Sequence, residues 1–285
     1  MRPETTAERG RTLITAVILA RNEGRNIRWC LETLSWCDEI VVVDMESSDD
    51  TAAIARGYTD RIYRHPLIQD FDAAKRFGTE RASGEWIFLI DADEMAPRTL
   101  GTTLRALALE GRADVAEVPF NHYIMGAKIR RSGWGYSPQP RFFRKGKVVL
   151  SGEIHRYFRK AEGALTVALP LDDANSIMHF NYVDSSHFIE KLNRYTAVEA
   201  GQLAEKGARF SYYGLFRASA GEFFRRFVRE KGYSEGPRGF ALCLMMAFYR
   251  AVTFIKLWER TEASREPVES FYERERKAVL AGWGK

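Results

Sequence analysis

Trp86-Ile-Phe-Leu-Ile-Asp91-Ala-Asp93-Glu94 is the stretch on which the fold turns. Trp86 to Ile90 are bulky and apolar without alternation, which predicts a strand buried on both faces, as in a parallel sheet. The run then stops in three carboxylates within four positions. In open α/β sheets the carboxyl ends of the strands are where ligands bind. Two carboxylates one residue apart at such an end can share a hard divalent cation through oxygen, and the cation can hold a diphosphate. A solvated acidic turn has the same residues, so the rest of the chain must decide between the two.

Upstream, Leu13 to Ala20 reads as a second buried strand, ending at Arg21-Asn22-Glu23-Gly24. From Asn26 to Trp36, Ile27, Leu31 and Leu34 share one helical face. Glu39 to Asp44 is a third buried strand, running into Met45-Glu-Ser-Ser-Asp-Asp-Thr51, rich in helix-capping residues. A short helix over Thr51–Gly57, an edge strand over Arg61–His65 and a helix over Asp72–Ala82 lead back to Trp86. Such alternation predicts an α/β fold: a doubly wound, mostly parallel sheet with helices on both faces. Neither a G-x-G-x-x-G after the first strand nor a G-x-x-x-x-G-K-[ST] is present, so phosphate must be held by other means. A cation on Asp91 and Asp93 would do so.

The length of 285 residues suits one large domain, or one with an appendage. The formal charge of +5 allows an anionic partner, and no nucleic acid is expected. Cys30, Cys37 and Cys243 lack metal-ligand spacing, and their odd number argues against a disulfide framework, in keeping with a cytoplasmic setting. The first ten residues are polar and are expected to be a flexible N-terminus without a signal peptide.

Ala20-Arg-Asn-Glu23, Val43-Asp-Met-Glu-Ser-Ser-Asp-Asp-Thr51 and Asp91-Ala-Asp-Glu94, in this order and spacing, resemble the family 2 inverting glycosyltransferases of GT-A fold. The resemblance implies that Ala20, Arg21, Glu23 and Asp44 hold the base and ribose of a nucleotide sugar, most simply a UDP-sugar. It implies that Asp91, Ala92 and Asp93 serve the ribose and the metal-diphosphate, with Mn²⁺ or Mg²⁺ as the cation. Family members often carry Arg-Asn or Lys-Asn in the helix before this strand. Here the pair is Lys75-Arg76, and Lys75 can still face the diphosphate.

Leu100 to Leu109 predicts an amphipathic helix and Asp114 to Phe120 a strand. Tyr123 to Phe158 is aromatic, basic and punctuated by glycine. Glu153 and His155 lie two apart and share a face if extended. Inverting transfer needs a base for the acceptor hydroxyl, and Glu153 is the candidate. His155 is a candidate metal ligand beside Asp93. Related glycosyltransferases usually carry His-Glu at this place, whereas this chain has His155-Arg156 with its acid earlier. Asp172 and Asp173 are the next candidate bases. Met178-His-Phe-Asn-Tyr182 and Phe188-Ile-Glu-Lys-Leu-Asn-Arg-Tyr-Thr-Ala197 resemble the lipopolysaccharide-core and cell-envelope branch of the family, where hexosyl or heptosyl groups pass to lipid-linked glycans. His179 thereby becomes another candidate metal or diphosphate contact.

Beyond Tyr212, Phe216, Phe223, Phe224 and Phe227 mix with Arg217, Arg225, Arg226, Arg229 and Lys231. Phe240 to Tyr249 is an apolar run about half as long as the roughly 20 residues of a membrane span. A basic, aromatic helix beside it suits the surface of an anionic membrane, with Arg225, Arg226, Arg229 and Trp258 as contacts. The alternative is a helical pair packed on the catalytic domain or on a second copy in a homo-oligomer. The expected organisation is a glycosyltransferase domain over 11–207, with a donor half over 11–110 and an acceptor half over 111–207. An amphipathic, helical, membrane-proximal extension follows over 208–285. The expected place is the inner face of the cytoplasmic membrane, bound peripherally. Two other classes use similar acids. A haloacid-dehalogenase-type, Mg²⁺-dependent phosphatase wants Thr or Val where this chain has Met95, and wants it on the first strand. A glycosyltransferase-like partner subunit would bind nucleotide without catalysis.

Overall fold

The computed structural model describes residues 13–66, 71–150, 158–262 and 267–283. They form two compact units. The first holds the chain up to Arg130 together with Trp134–Asp184, and the second holds Arg131–Gly133 and the chain from Ser185 onward.

The first unit alternates as expected: β1 (Ile14–Ala20), α1 (Ile27–Glu32), β2 (Glu39–Asp44), α2 (Thr51–Ala55), β3 (Ile62–Arg64), α3 (Phe71–Arg81) and β4 (Trp86–Asp91). There follow β5 (Glu94–Met95), α4 (Arg98–Glu110), β6 (Val115–Val118), β7 (Phe120–Ile124), β8 (Ala127–Ile129), β9 (Gln139–Arg144), β10 (Val148–Leu150), β11 (Phe158–Lys160), β12 (Thr166–Ala168) and β13 (Ile177–Phe180). The main sheet has the order β12-β6-β9-β4-β1-β2-β3. Of its strands only β9 runs against the rest, antiparallel to both β4 and β6.

The apolar runs are unbroken because the sheet is covered on both sides. Ile14, Ala16, Ile18, Trp86, Phe88 and Ile90 pack with Ile27 and Leu31 of α1 and with Leu100 and Leu104 of α4. The alternate residues Val17, Leu19, Val41, Val43, Ile87 and Leu89 pack with Ala74 on α3. Each such side chain contributes roughly 1.5–3 kcal/mol on leaving water. Gly78 lets α3 lie close to the sheet, since a Cβ there would stand 2.6 Å from Val17 Cγ1. Trp86 stacks on Phe142 at 4.7 Å between centroids, which seats β9 against β4.

One strand differs from the sequence reading. Asp114–Phe120 divides into β6, in the main sheet, and β7, in a second sheet of order β5-β13-β7-β8. The break falls at Pro119, which has no N–H for a ladder, while its carbonyl accepts from the Ile177 N–H at 2.9 Å.

The second unit is helical: α5 (Ser185–Glu205), α6 (Tyr212–Phe224), a π-helical turn over Arg225–Arg229, a 3₁₀ turn over Gly232–Glu235, α7 (Gly236–Thr261) and α8 (Val268–Ala281). The boundary therefore lies at Asp184 rather than after residue 207, because α5 packs along α7. Arg250 Nη1 donates to Glu199 Oε1 at 2.8 Å, and Lys256 Nζ donates to Asn193 Oδ1 at 2.7 Å and Thr196 Oγ1 at 2.9 Å. These pins occupy the two charges that interrupt the apolar stretch. Counting uninterrupted apolar residues understated this helix. It is 26 residues long, roughly 39 Å. Gly232–Thr261 is the one stretch among the described residues long and apolar enough to cross a membrane, and 33% of its most apolar window is buried within the protein.

Candidate active site

The registers of β1, β2 and β4 bring three predicted residues to one edge. Ala20 pairs with Asp44, and Leu19 with Asp91. Asp44 is buried at 7% exposure, and its Oδ1 receives the Ser47 N–H at 3.4 Å. The Met45 N–H returns to the Ala20 carbonyl at 2.9 Å.

Two loops at this edge are laced together. Asn22 Oδ1 accepts from the Ser48 N–H at 2.8 Å, and the Asn22 N–H donates to Ser47 Oγ at 2.9 Å. The Glu23 N–H donates to Thr51 Oγ1 at 2.8 Å, and the Gly24 N–H to Asp49 Oδ2 at 3.0 Å. Asn22 and Glu46 hold φ of 54° and 57°, which side chains other than glycine's rarely adopt. Strain of this kind, kept by surrounding hydrogen bonds, concentrates at ligand sites. Glu23 Oε2 accepts from Asn26 Nδ2 at 2.7 Å, and Arg21 carries a buried Nε without a hydrogen-bond partner among the described residues.

Beyond β4 the three acids separate in role. Arg141 Nη2 donates to Asp91 Oδ2 at 3.0 Å and to Glu94 Oε1 at 2.9 Å. Glu94 Oε2 accepts the Asp91 N–H at 2.8 Å. Burial acts to raise Asp91, yet Arg141 and then Lys75 hold its carboxyl below the usual range. Lys75, on α3 and 8% exposed, thus adds positive potential at Asp91. Glu94 is fully buried, and burial lifts it to about 7 against the pull of Arg141. Ala92 is buried at 2% exposure between the two aspartates.

Asp93 has a different neighbour. His179 Nε2 stands 3.6 Å from Asp93 Oδ2 and its Nδ1 4.0 Å from Glu94 Oε1. Burial acts to lower His179, but Asp93 together with Glu94 and Asp91 outweighs it and the imidazole is held above its ordinary value. The second sheet arranges this contact: His179 pairs with Glu94 on one side and His122 on the other. His122 is pushed down to about 3 by burial and then by His179, so it is neutral. It stacks on Phe120 at 5.6 Å, and the Arg141 guanidinium lies 5.1 Å from the same ring.

The donor set fits a hard cation in part. Among the described residues no three His, Cys, Asp or Glu side chains gather into a cage. One carboxylate and one imidazole with open positions suit Mg²⁺ or Mn²⁺, ions commonly held by one or two carboxylates plus substrate phosphate oxygens. Asp93 and His179 would hold it. Asp91, first read as a possible partner on the cation, has its carboxylate committed to Arg141.

Glu153 and His155 lie outside the described residues. The reserve bases are occupied: Asp172 Oδ1 accepts the Ala174 and Asn175 N–H groups at 2.9 and 2.7 Å, and Asp173 pairs with Lys128 and Asn121. Two of the three arginines read as membrane contacts also turn inward. Arg225 and Arg226 both bond Glu222, which is 8% exposed; Arg225 also pairs with Glu230, and Arg226 Nη1 donates to the Ser132 carbonyl at 2.7 Å. Arg229 and Trp258 are exposed. The sequence reading missed Arg141, Glu94 and His122 as site residues. A lone arginine in Pro140-Arg-Phe-Phe143, a strand segment buried throughout, is the signal that marks the first of them.

Comparison with known proteins agrees with this geometry. The model of glycosyl transferase family 2 matches residues 15–163. The lipopolysaccharide core biosynthesis glycosyltransferase LpsC of Rhizobium meliloti is 30% identical over 89% of this chain and 95% of its own. An uncharacterized glycosyltransferase of Rickettsia conorii is 22% identical over 91% and 94%. Among solved structures, glucosyl-3-phosphoglycerate synthase from Mycobacterium tuberculosis is similar over 42% of this chain and about half of its own, 49%, at 22% identity and a TM-score of 0.35, a likeness too slight to transfer ligands or mechanism. The family match spans the strand edge, the laced loops and the acid turn alike, and the chain belongs to glycosyl transferase family 2.

Proposed function

We propose that the protein transfers a sugar with inversion from a UDP-sugar to a lipid-linked or lipopolysaccharide-core glycan, assisted by Mn²⁺ or Mg²⁺. The observation that carries this reading is the shared edge. Asp44 and Asp91 end neighbouring parts of one sheet, and Asp93 follows beside His179. Asp44, Glu23 and Arg21 border the place for base and ribose, and the laced loops keep that border shaped before a ligand arrives. Lys75 adds positive potential for the diphosphate. Asp93 and His179 hold the cation, which when bound offsets charge developing on the departing diphosphate. Glu153 takes the proton of the acceptor hydroxyl, and the sugar–phosphate bond breaks as the new glycosidic bond forms on the opposite face. The resemblance to a lipopolysaccharide-core enzyme supports the acceptor class.

The second unit supports a peripheral place on the inner face of the cytoplasmic membrane. Tyr212, Tyr213, Phe216 and Phe224 expose 75, 77, 67 and 61% of their surface, and Arg217, Arg229 and Lys231 are exposed on the same stretch of chain. Aromatic and basic groups together suit an anionic interface.

Calorimetric titration with UDP, in Mn²⁺ and in EDTA, tests the donor half. The expected result is Mn²⁺-dependent binding that Asp93→Ala abolishes while the circular dichroism spectrum is kept. Binding undiminished in that variant removes the metal role from Asp93. Glu153→Gln is expected to keep UDP affinity and lose roughly 10²- to 10⁴-fold in transfer rate. A rate within a few-fold of wild type moves the base elsewhere.

A further inference from the structure

We infer, building on the donor site proposed above, that Arg141 is a positioning residue that locks the acid turn, so that Asp93 and not Asp91 is presented to the cation and diphosphate. Arg141 reaches the turn from β9, the reversed strand, with its side chain buried at 9% exposure. A single nitrogen, Nη2, holds Asp91 Oδ2 at 3.0 Å and Glu94 Oε1 at 2.9 Å. The other oxygen of Glu94 holds the Asp91 N–H at 2.8 Å. The guanidinium, the Glu94 carboxylate and both the backbone and side chain of Asp91 therefore form one closed ring. Within it Asp91 Oδ2 is held on Arg141. That oxygen is already matched by a cation that cannot lose its proton, and that positive charge disfavours a divalent ion beside the same carboxylate. Asp93, between the two ring members in sequence, lies outside the ring, with His179 Nε2 3.6 Å from its Oδ2. Arg141 Nε and Nη1 are buried without a hydrogen-bond partner among the described residues, so the guanidinium is held by its acid partners and by the Phe120 ring. Lysine would offer a point charge on a flexible stem, whereas the planar guanidinium keeps Nη2 directed at both acids.

The full chain is titrated with UDP in Mn²⁺ and in EDTA, as wild type, Arg141→Lys, Glu94→Gln, Asp93→Ala and Arg141→Lys with Asp93→Ala. The expected result is that Arg141→Lys loses about ten-fold or more of the affinity gained from Mn²⁺ and changes the EDTA value by less than about three-fold. A small misplacement of a coordinating group is enough for such a loss. The loss should vanish in the Asp93→Ala background, because a residue acting through Asp93 has nothing left to position. Should Arg141→Lys fail to fold by circular dichroism, Glu94→Gln, which keeps volume but turns one of the two acceptor oxygens of the ring into a donor, reads the same ring and is expected to lose the Mn²⁺ gain in part. A variant pair that folds and keeps the full gain, or losses that simply add in the double variant, overturns the inference and leaves the donor site standing. A wild type with no Mn²⁺ gain at all overturns the donor-site reading first and this inference with it.

Discussion

The two units treat acid and oil in opposite ways. The first buries its apolar groups on both faces of a sheet and brings Asp44, Asp91 and Asp93 to one edge. The second buries an acid, Glu222, between two arginines, and leaves Tyr212, Tyr213, Phe216 and Phe224 exposed. An edge that presents acids is suited to a cation and the polar ligand that cation carries. A helix that hides its acid and presents aromatics is suited to an interface where one side is apolar. Cationic residues alone do not make the second surface, since Arg225 and Arg226 are consumed internally.

That contrast breaks most visibly at Asp93. If the presented acid serves the reaction, Asp93→Asn costs on the order of 10²- to 10³-fold in transfer rate, as loss of a preorganised electrostatic group does. Steady-state assays with a UDP-sugar check this, and a rate close to wild type would detach the acid edge from chemistry. The hidden acid should behave in the opposite manner. Glu222→Ala leaves Arg226 buried without its partner and should cost stability, not turnover per folded molecule. A fully buried pair broken on one side costs about 3–5 kcal/mol. Arg225 is partly exposed, so about 2–3 kcal/mol is expected here. Urea unfolding followed by fluorescence reads it, and an unchanged midpoint would mean that the network contributes nothing.

The presented oil is tested with Tyr213, Phe216 and Phe224 replaced together by Ser. Binding to anionic liposomes should fall about ten-fold or more, largely independent of salt, since each half-inserted aromatic contributes on the order of 1 kcal/mol. Arg217→Glu with Arg229→Glu should instead remove the salt-sensitive part, about 1 kcal/mol per residue. Cosedimentation that neither set alters would assign the face to protein packing. The smallest effect is expected from the loops. Asp49→Ala removes the acceptor of the Gly24 and Thr51 N–H groups and should weaken UDP about three- to five-fold, as an exposed charged hydrogen bond does. Unchanged affinity would show that the lacing is not what shapes the nucleotide edge.

The strands and the acid turn were legible because burial leaves its mark locally: Trp86 to Ile90 has no alternation, and the sheet indeed has a packed core on each face. Asp44, Ala20 and Asp91 were legible as strand ends, and the register of a parallel sheet then places them together. Arg141 was not, because its partner Asp91 lies 50 residues away and nothing local names that pairing. His122 and His179 look like isolated histidines until β7 and β13 are paired. The inward turn of Arg225 and Arg226 was hidden by composition: a cluster of arginines reads as a cationic surface unless Glu222, one helical turn earlier, is counted against it. The length of α7 was missed because a run of apolar residues was counted where a helix face was needed.

The reversed strand has a bearing on how the chain is made. β4 is buried from Trp86 to Ile90, and it is flanked by β1 on one side and by β9 on the other. A nascent chain that has emerged only as far as β8 already owns β1 through β4, yet Trp86 to Phe88 lack their β9 partners along one margin. Gln139–Arg144 must travel back across some fifty residues of chain to cover it, a non-local closure of the kind that slows folding. The strand that closes this margin is the same one that delivers Arg141. Closing this margin of β4 and completing the acid turn therefore both wait on the arrival of one strand.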